Sequence, residues 1–588
     1  MGQETGTAER MEFFYVDIGK EKYMKERFQA LITEGRSFRE RLFMILPVSL
    51  FFALLVFFFA PSEYLLTNYS EFWFSSSQIW WCFLLLTFGC FFFLTGIGIL
   101  LKGKLFNIYI TALFALALAL YLEGNFIGAD YGIQTGQEIR WERYGTFSFL
   151  NTAEWCMILL VPFMILYMFP KFWRFLVKGV SLILSLMFLV TIACVILMDP
   201  DCVENPLSSL GFSWNGFDTA SKNENTLVIL VDEWDTKYAE EQMIHDADCM
   251  DFLKGFTYYP DTVSVYNMTY PAVTQYFTGK MWYMEDLSVE EYDRLAWQQD
   301  ELFSGLKEKN ADIRIFGDRK DFAAVSNGLI DNAAEGTPSI LSYSGLLKDF
   351  FRLVAFRYLP HGLKAGVWIT ADNLDAYADR GNLFSGQNSV VYEYLKEHPL
   401  KAVLDVPTFR FCHIRGMHPP FIENEECQCI GDGATSYTEG QAVLRILEAM
   451  MQQLEDAGIY DSTAVIIVAD HGTREERLAP ITEAHNPVLM IKPRRSRDPF
   501  AVSAEPRWTT YMKPTMMDAA GLDNYSEFGH SLLRPEENPW EFRYHYAVVT
   551  ADLQNELVEY LIHANAAYMN AWKETGKTWH LGTYYFND

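Results

Sequence analysis

Basic residues are scarce in this chain: 47 lysines and arginines stand against 75 aspartates and glutamates, a net charge of −28. A nucleic-acid partner is therefore not expected, because phosphate backbones are held by basic surfaces. Acidity leaves an anionic lipid substrate open, since a bound metal reverses the sign locally. Cysteine is sparse as well, with nine in the chain. Cys82, Cys90, Cys156 and Cys194 fall in long apolar runs and read as packing residues. Cys202, Cys249, Cys412, Cys427 and Cys429 are odd in number, and their spacing matches no standard zinc motif. No disulfide framework is inferred from them. A short cleavable signal peptide is also missing from the expectation, because residues 1–41 are polar and mixed in charge. That stretch reads as a cytoplasmic tail.

What the chain has in quantity is apolar sequence, and it is concentrated at one end. With 588 residues the chain is too long for one core. Five apolar segments, residues 42–60, 79–101, 105–122, 155–169 and 175–198, approach the roughly 20 residues that span a bilayer, the fourth being short. Arg36, Arg39 and Arg41 precede the first, Lys102 and Lys104 fill the second connection, and Lys171, Arg174 and Lys178 flank the fourth. The connection 61–78 has no basic residue, and 123–154 has only Arg140 and Arg143. Basic connections alternate, so the N-terminus is expected inside and everything beyond residue 199 outside. The glycine-bearing loop 131–141 either braces the catalytic domain, borders a lipid path or simply connects.

Residues 199–225, with Pro200 and Pro206, read as a linker. Beyond them apolar strands alternate with amphipathic helices. Strands are predicted at 226–231, 313–316, 409–414, 463–469 and 488–491, in runs apolar enough to be buried on both faces. A helix is predicted over 437–458, with Val443, Leu447, Met450 and Leu454 on one core-facing stripe and Gly458 at its end. This is the pattern of a doubly wound α/β domain over 226–533. Its aromatic-rich insertion, 320–400, is a candidate wall for a substrate. A C-terminal extension, 534–588, is expected to hold a helix at 552–575.

Two of the strands end in chemistry. Asp232 and Glu233 follow the run 226–231, and Asp470, His471 and Gly472 follow 463–469. Acids are out of place in a core and should face a cation or partner; Asp232 could alternatively cap the next helix. Strand ends in a parallel sheet are where α/β proteins gather their sites. Thr269, in TYPAVTQYFTG (269–279), is the candidate nucleophile. A threonine hydroxyl attacks poorly unless a metal or base takes its proton. It also stands where a helix N-cap would, with Pro271 in the first turn. The two roles are compatible, since a helix N-terminus favours a phosphate anion.

Five blocks in order carry a family resemblance: LVILVDEWD (227–235), TYPAVTQYFTG, RGMHPPF (415–421), IIVADHG (466–472) and PTMMDAAGL (514–522). Together they resemble the alkaline phosphatase/sulfatase superfamily, and within it the membrane branch of lipoteichoic acid synthases, phosphoethanolamine transferases and membrane sulfatase-like proteins. The resemblance implies a multi-pass α-helical membrane domain carrying an α/β sulfatase-like, doubly wound extracytoplasmic domain. It makes Glu233 a metal ligand with Thr269, Asp470 and His471, and Asp232 a second acidic ligand or a group behind the ligands. It gives His418 and His485 contact with the transferred phosphate or a second metal. Arg415, Arg474 and Arg477 are candidates for phosphate on chemical grounds, as guanidinium holds two oxygens at once; as a surface residue Arg477 needs no such role. Asn267 is a further polar candidate, whereas His413, inside a strand, reads as a core residue.

Sulfatases carry cysteine or serine where Thr269 stands, and arginine where Val273 stands. Both departures point away from sulfate ester hydrolysis. The mixed oxygen and nitrogen donors suit zinc or manganese ahead of calcium. The expected activity is transfer of a phospholipid headgroup, phosphoglycerol or phosphoethanolamine, onto a glycan or lipid acceptor at the membrane. A hydrolase or phosphodiesterase of envelope glycans, and a non-catalytic scaffold, are the competing readings.

Overall fold

In hydrocarbon a helix is favoured because it satisfies its backbone polar groups internally, and the five apolar runs of the chain's first two hundred residues form helices. The computed structural model describes residues 36–580 except 130, 132–138, 140, 206–209, 283–288, 299–300, 319, 323–327, 432, 474–480, 482, 535–541 and 552–553. The tail up to residue 35 and most of the 131–141 loop lie outside the described residues. The chain divides into two units. One holds the described residues of Met1–Ala129, Ile139–Pro206 and Ile340–Ala378. The other holds those of Asp130–Glu138, Leu207–Ser339 and Asp379–Asp588.

The first unit contains five helices long and apolar enough to cross a membrane: Phe38–Thr67, Ser76–Leu100, Gly103–Ile127, Gly145–Met168 and Pro170–Met198. Ser37 and Ser75 start the first two with reciprocal capping boxes to Glu40 and Gln78. The fourth is longer than its apolar run of 155–169. It begins at Gly145 and takes in Asn151, which is buried and donates to Glu123 Oε2 at 2.7 Å. Trp155 Nε1 donates to the same oxygen at 3.0 Å.

Part of the predicted insertion belongs to this unit. The helix Tyr343–Tyr358 sets Phe350 against Phe72, Phe74 and Phe83, with ring centroids 5.6–6.1 Å apart. Arg357 pairs with Glu63 at 2.8 Å, and the buried Lys364 with the buried Glu123 at 3.2 Å. The Tyr358 ring lies so close over Gly124 that no larger residue fits there.

The second unit is built on a seven-stranded sheet: β1 (Asn225–Val231), β2 (Thr257–Tyr258), β3 (Asp312–Phe316), β4 (Thr408–Ile414), β5 (Thr463–Val468), β6 (Leu489–Lys492) and β7 (Ala501–Val502). Its order is β7-β2-β6-β5-β1-β4-β3. Four consecutive strands, β5-β1-β4-β3, are parallel, while β6 runs antiparallel to β5. Successive residues of β1 feed opposite cores, as a strand requires. Val228 and Leu230 pack with Phe411, Ile466 and Val273, whereas Ile229 and Val231 pack with Val465, Ile467 and Leu447. The helix Thr269–Thr278 covers the first face and the helix Ser436–Asp456 the second. This is the doubly wound arrangement expected, with all five predicted strands in it.

The C-terminal extension differs from expectation. In place of a helix at 552–575 it forms an antiparallel sheet of β8 (Arg543–Ala551), β9 (Gln554–Ile562) and β10 (Trp572–His580). The cause is tertiary. Leu557 joins Val548 in the main core, while Val558, Tyr560 and Ile562 join Val263, Val549 and Trp572 in a separate cluster. Both faces of β9 find apolar cover that no local helical reading of the segment anticipates.

Candidate metal centre and nucleophile

Because β5 and β1 are adjacent and parallel, with Val468 level with Leu230, the residues that follow them emerge at one edge. There one oxygen of Asp232, one of Asp470 and a ring nitrogen of His471 lie within 4.8 Å of one another, all three residues buried. His471 Nε2 is 3.2 Å from Asp470 Oδ2. Its Nδ1 lies 2.7 Å from the carbonyl of Gly472, which puts the ring proton there and leaves Nε2 as a lone pair. Asp232 Oδ1, Asp470 Oδ2 and His471 Nε2 have no hydrogen-bond partner among the described residues. Buried polar atoms are nearly always bonded. Two carboxylates and an imidazole left open together fit a divalent cation.

The electrostatics agree. Burial, then the Asp232 carboxylate, pushes Asp470 above the usual carboxylate range. Burial would raise Asp232 too, but His418, His413 and His471 outweigh it and hold it well below that range.

Asp470 is held from two sides. The N–H of Glu233 donates to Oδ1 at 3.0 Å, and the nearby Thr269 side chain favours the ionised carboxylate. Tyr276, two helical turns beyond Thr269, donates its hydroxyl to the carbonyls of Ala469 and Asp470 at 2.9 and 3.0 Å. The helix Thr269–Thr278 is thus anchored to Asp470 along one face. Thr269 is its first residue rather than its cap, which is the extended Met268.

Glu233 sits differently from expectation. It adopts the left-handed backbone (φ 52°), is buried, and its carboxylate is not part of the convergent group. Asp232 is the second carboxylate of that group, while Glu233 Oε2, next to it in sequence, is a buried oxygen as well. Asp235, two residues on, accepts from the N–H groups of Lys237 (3.0 Å) and Thr473 (2.9 Å), tying the loop after β1 to the loop after β5. Burial pushes it up to about 6. A Cβ on Gly472 would meet Asp235 Oδ2 and the backbone of His485 at 2.5 Å, so glycine is required there.

His418 Nδ1 faces the carbonyl of Pro419 at 2.6 Å, and its ring acts electrostatically on Asp232. His485 is buried and meets the Trp572 ring edge-on at 6.5 Å. Two expected phosphate contacts are committed elsewhere. Arg415 pairs with Glu439 (3.1 Å) and Glu423 (3.8 Å), inside the protein. The amide of Asn267 exchanges two hydrogen bonds with the main chain of Val548, at 2.8 and 3.2 Å. Arg474 and Arg477 lie outside the described residues.

Three residues were not anticipated. His413 stands between Asp232 (3.5 Å) and Asp321 (3.6 Å). Burial would lower its pKa, but these carboxylates carry it up to about 10, which favours the charged ring. Asp321 follows β3, and the rule that picked out acids beyond strand ends would have found it. His545, on β8, is fully buried and held neutral: burial, with His485 and His471 near it, pushes it down to about 3.

No protein-family model and no curated protein matches the chain. Among solved structures it is similar to a protein in the alkaline phosphatase superfamily from Vibrio parahaemolyticus, at 12% identity and TM-score 0.36, over 63% of this chain and 80% of that one. It is similar also to a phosphonate monoester hydrolase from Silicibacter pomeroyi, at 13% and 0.34, over 60% and 88%. A putative sulfatase from Bacteroides thetaiotaomicron gives 13% and 0.36, over 58% and 81%.

Proposed function

We propose that this protein is a membrane-anchored, metal-dependent phosphotransferase that moves a phospholipid headgroup, phosphoglycerol or phosphoethanolamine, onto a glycan, lipid or polymer of the cell envelope. The observation that carries this reading is the open, buried Asp232–Asp470–His471 group, with the Thr269 side chain close enough to act on the Asp470 carboxylate. A divalent cation, zinc or manganese, held by that group would supply Lewis acidity to the threonine oxygen and to phosphoryl oxygens.

The chain's own residues do the rest. The Asp470 carboxylate, beside the Thr269 side chain, takes the hydroxyl proton as the oxygen attacks and passes it to the departing diacylglycerol oxygen. The N-terminal turn of the helix Thr269–Thr278 favours the phosphate anion. The Thr269 oxygen bonds to phosphorus as the bond to the diacylglycerol oxygen breaks, leaving a phosphothreonine diester. An acceptor hydroxyl then displaces threonine. His413, charged between its two carboxylates, limits the negative charge around Asp232.

The helices anchor the protein in the membrane that supplies the lipid, with the catalytic domain outside the cell. The N-terminal basic residues support that orientation. Arg36 bonds Asn107 (2.6 Å) and Arg41 the carbonyl of Leu101 (2.9 Å), putting them at the same end as Lys102 and Lys104, the end expected to face the cytoplasm.

The test is mass spectrometry of the purified protein after incubation with manganese and either phosphatidylglycerol or phosphatidylethanolamine, without acceptor. An adduct on Thr269 with the mass of phosphoglycerol or phosphoethanolamine is expected. A Thr269→Ala variant that turns over these lipids normally would overturn the reading, and product formed only with water would make the enzyme a hydrolase.

A further inference from the structure

The C-terminal sheet runs beside the segment that leads into the nucleophile. Tyr546 N donates to Val265 O at 2.7 Å, Val548 N to Asn267 Oδ1 at 2.8 Å, and His545 Nδ1 lies 2.8 Å from Ser264 O. Arg543 bonds the carboxylate and carbonyl of Asp261, at 2.8 and 2.7 Å. The stretch from Asp261 to Asn267 is thereby pinned to β8 at four points, the last of them two residues before Thr269.

His545 is the unusual member. Its contact with a carbonyl requires the proton on Nδ1, so Nε2 is a bare lone pair. That nitrogen is buried with no hydrogen-bond partner among the described residues, in a side chain with no exposure. Leaving such a group unsatisfied is costly, because it gives up its bonds to water and gains none. An apolar residue would fill the same space more cheaply if packing were the only demand. What an apolar residue lacks is the N–H for Ser264. The ring also packs against Trp572 (5.2 Å), the residue that meets His485.

We propose that His545 is a positioning residue of the phosphotransfer site, which through the Ser264 carbonyl sets the backbone that delivers the Thr269 oxygen to Asp470. The C-terminal extension is then a working part of the catalytic domain. This assignment rests on Thr269 being the nucleophile.

The test uses the full-length protein in detergent with manganese and bis(p-nitrophenyl) phosphate as probe. Four variants, His545→Ala, His545→Asn, His545→Gln and Thr269→Ala, are compared for kcat, KM, manganese affinity by calorimetry and thermal unfolding midpoint. His545→Ala should lower kcat by about tenfold to a hundredfold, as misplacement by an ångström does, with KM and manganese affinity near parental values. His545→Asn, whose amide N–H falls where Nδ1–H was, should recover most of kcat. His545→Gln, whose donor falls at the Nε2 position, should not. Parental kcat in a folded His545→Ala would overturn the assignment. Should that variant fail to fold, equal kcat in the Asn and Gln variants would overturn it. An inactive Thr269→Ala beside a fully active His545→Ala would sink the role of His545 alone, whereas a fully active Thr269→Ala would sink the nucleophile and this proposal with it.

Discussion

The Thr269 side chain lies close enough to the Asp470 carboxylate to favour its ionised form, although the two residues are 201 positions apart in sequence. One starts a helix on one face of the sheet, and the other follows a central strand. If this contact aims the nucleophile, Thr269→Ser should keep measurable turnover while Thr269→Ala loses several orders of magnitude, as removal of a covalent nucleophile does elsewhere. Single-turnover release of diacylglycerol from a labelled donor lipid checks this.

Asp232 and Glu233 are neighbours with different placements. Asp232→Asn should weaken manganese or zinc binding by at least about tenfold, the scale on which even groups behind a metal's ligands act. Glu233→Gln should change cation affinity less, because the group whose ligand atoms converge within 4.8 Å is Asp232, Asp470 and His471. Calorimetric titration of metal-free protein separates the two.

Much of this site was legible in the sequence, and the part that was not has a physical cause. Apolar runs ending in acids or in Asp-His mark strand ends, so β1, β5, Asp470 and His471 follow from pattern alone. Choosing between Asp232 and Glu233 does not. The strand ends at Val231 and both acids lie in the turn beyond it, where strand alternation no longer applies, and the left-handed backbone at Glu233 is not written in the residue types. Arg415 reads the same way on paper whether it faces phosphate or two buried glutamates. His545 could not be found, because its segment was read as helix, and β9 is a strand only because two separate cores cover its faces.

Glu423 and Glu439 are buried together with Arg415 as the cation they share. Burial, then the neighbouring Glu423, pushes Glu439 up to about 9, with Arg415 opposing. A folded-state value above the unfolded one means stability that is complete below the ordinary carboxylate range and is lost as pH rises toward about 9. Glu423→Gln removes the second negative charge. Its unfolding midpoint should therefore decline less over that window than the parent's, as read by thermal scans across pH.

Glu123 and Lys364 form a buried pair in the membrane unit. Removing one partner strands a charge, so Lys364→Ala should cost about 3–5 kcal/mol. The double variant Glu123→Gln with Lys364→Met should cost less than Lys364→Ala alone. Denaturant unfolding in detergent of both singles and the double measures the coupling.

The helix Tyr343–Tyr358 buries Leu346, Phe350, Leu353 and Val354 in the same cluster as residues of the first, second, third and fifth apolar helices. Its covalent neighbours on either side, from Leu207 to Ser339 and from Asp379 onward, belong to the sheet-bearing unit. Trimming the chain at the 199–225 stretch to obtain a water-soluble enzyme would thus strip that helix of its seat while keeping it in the product. A tractable fragment has to excise 340–378 and rejoin the flanks, or retain the helices that cover it.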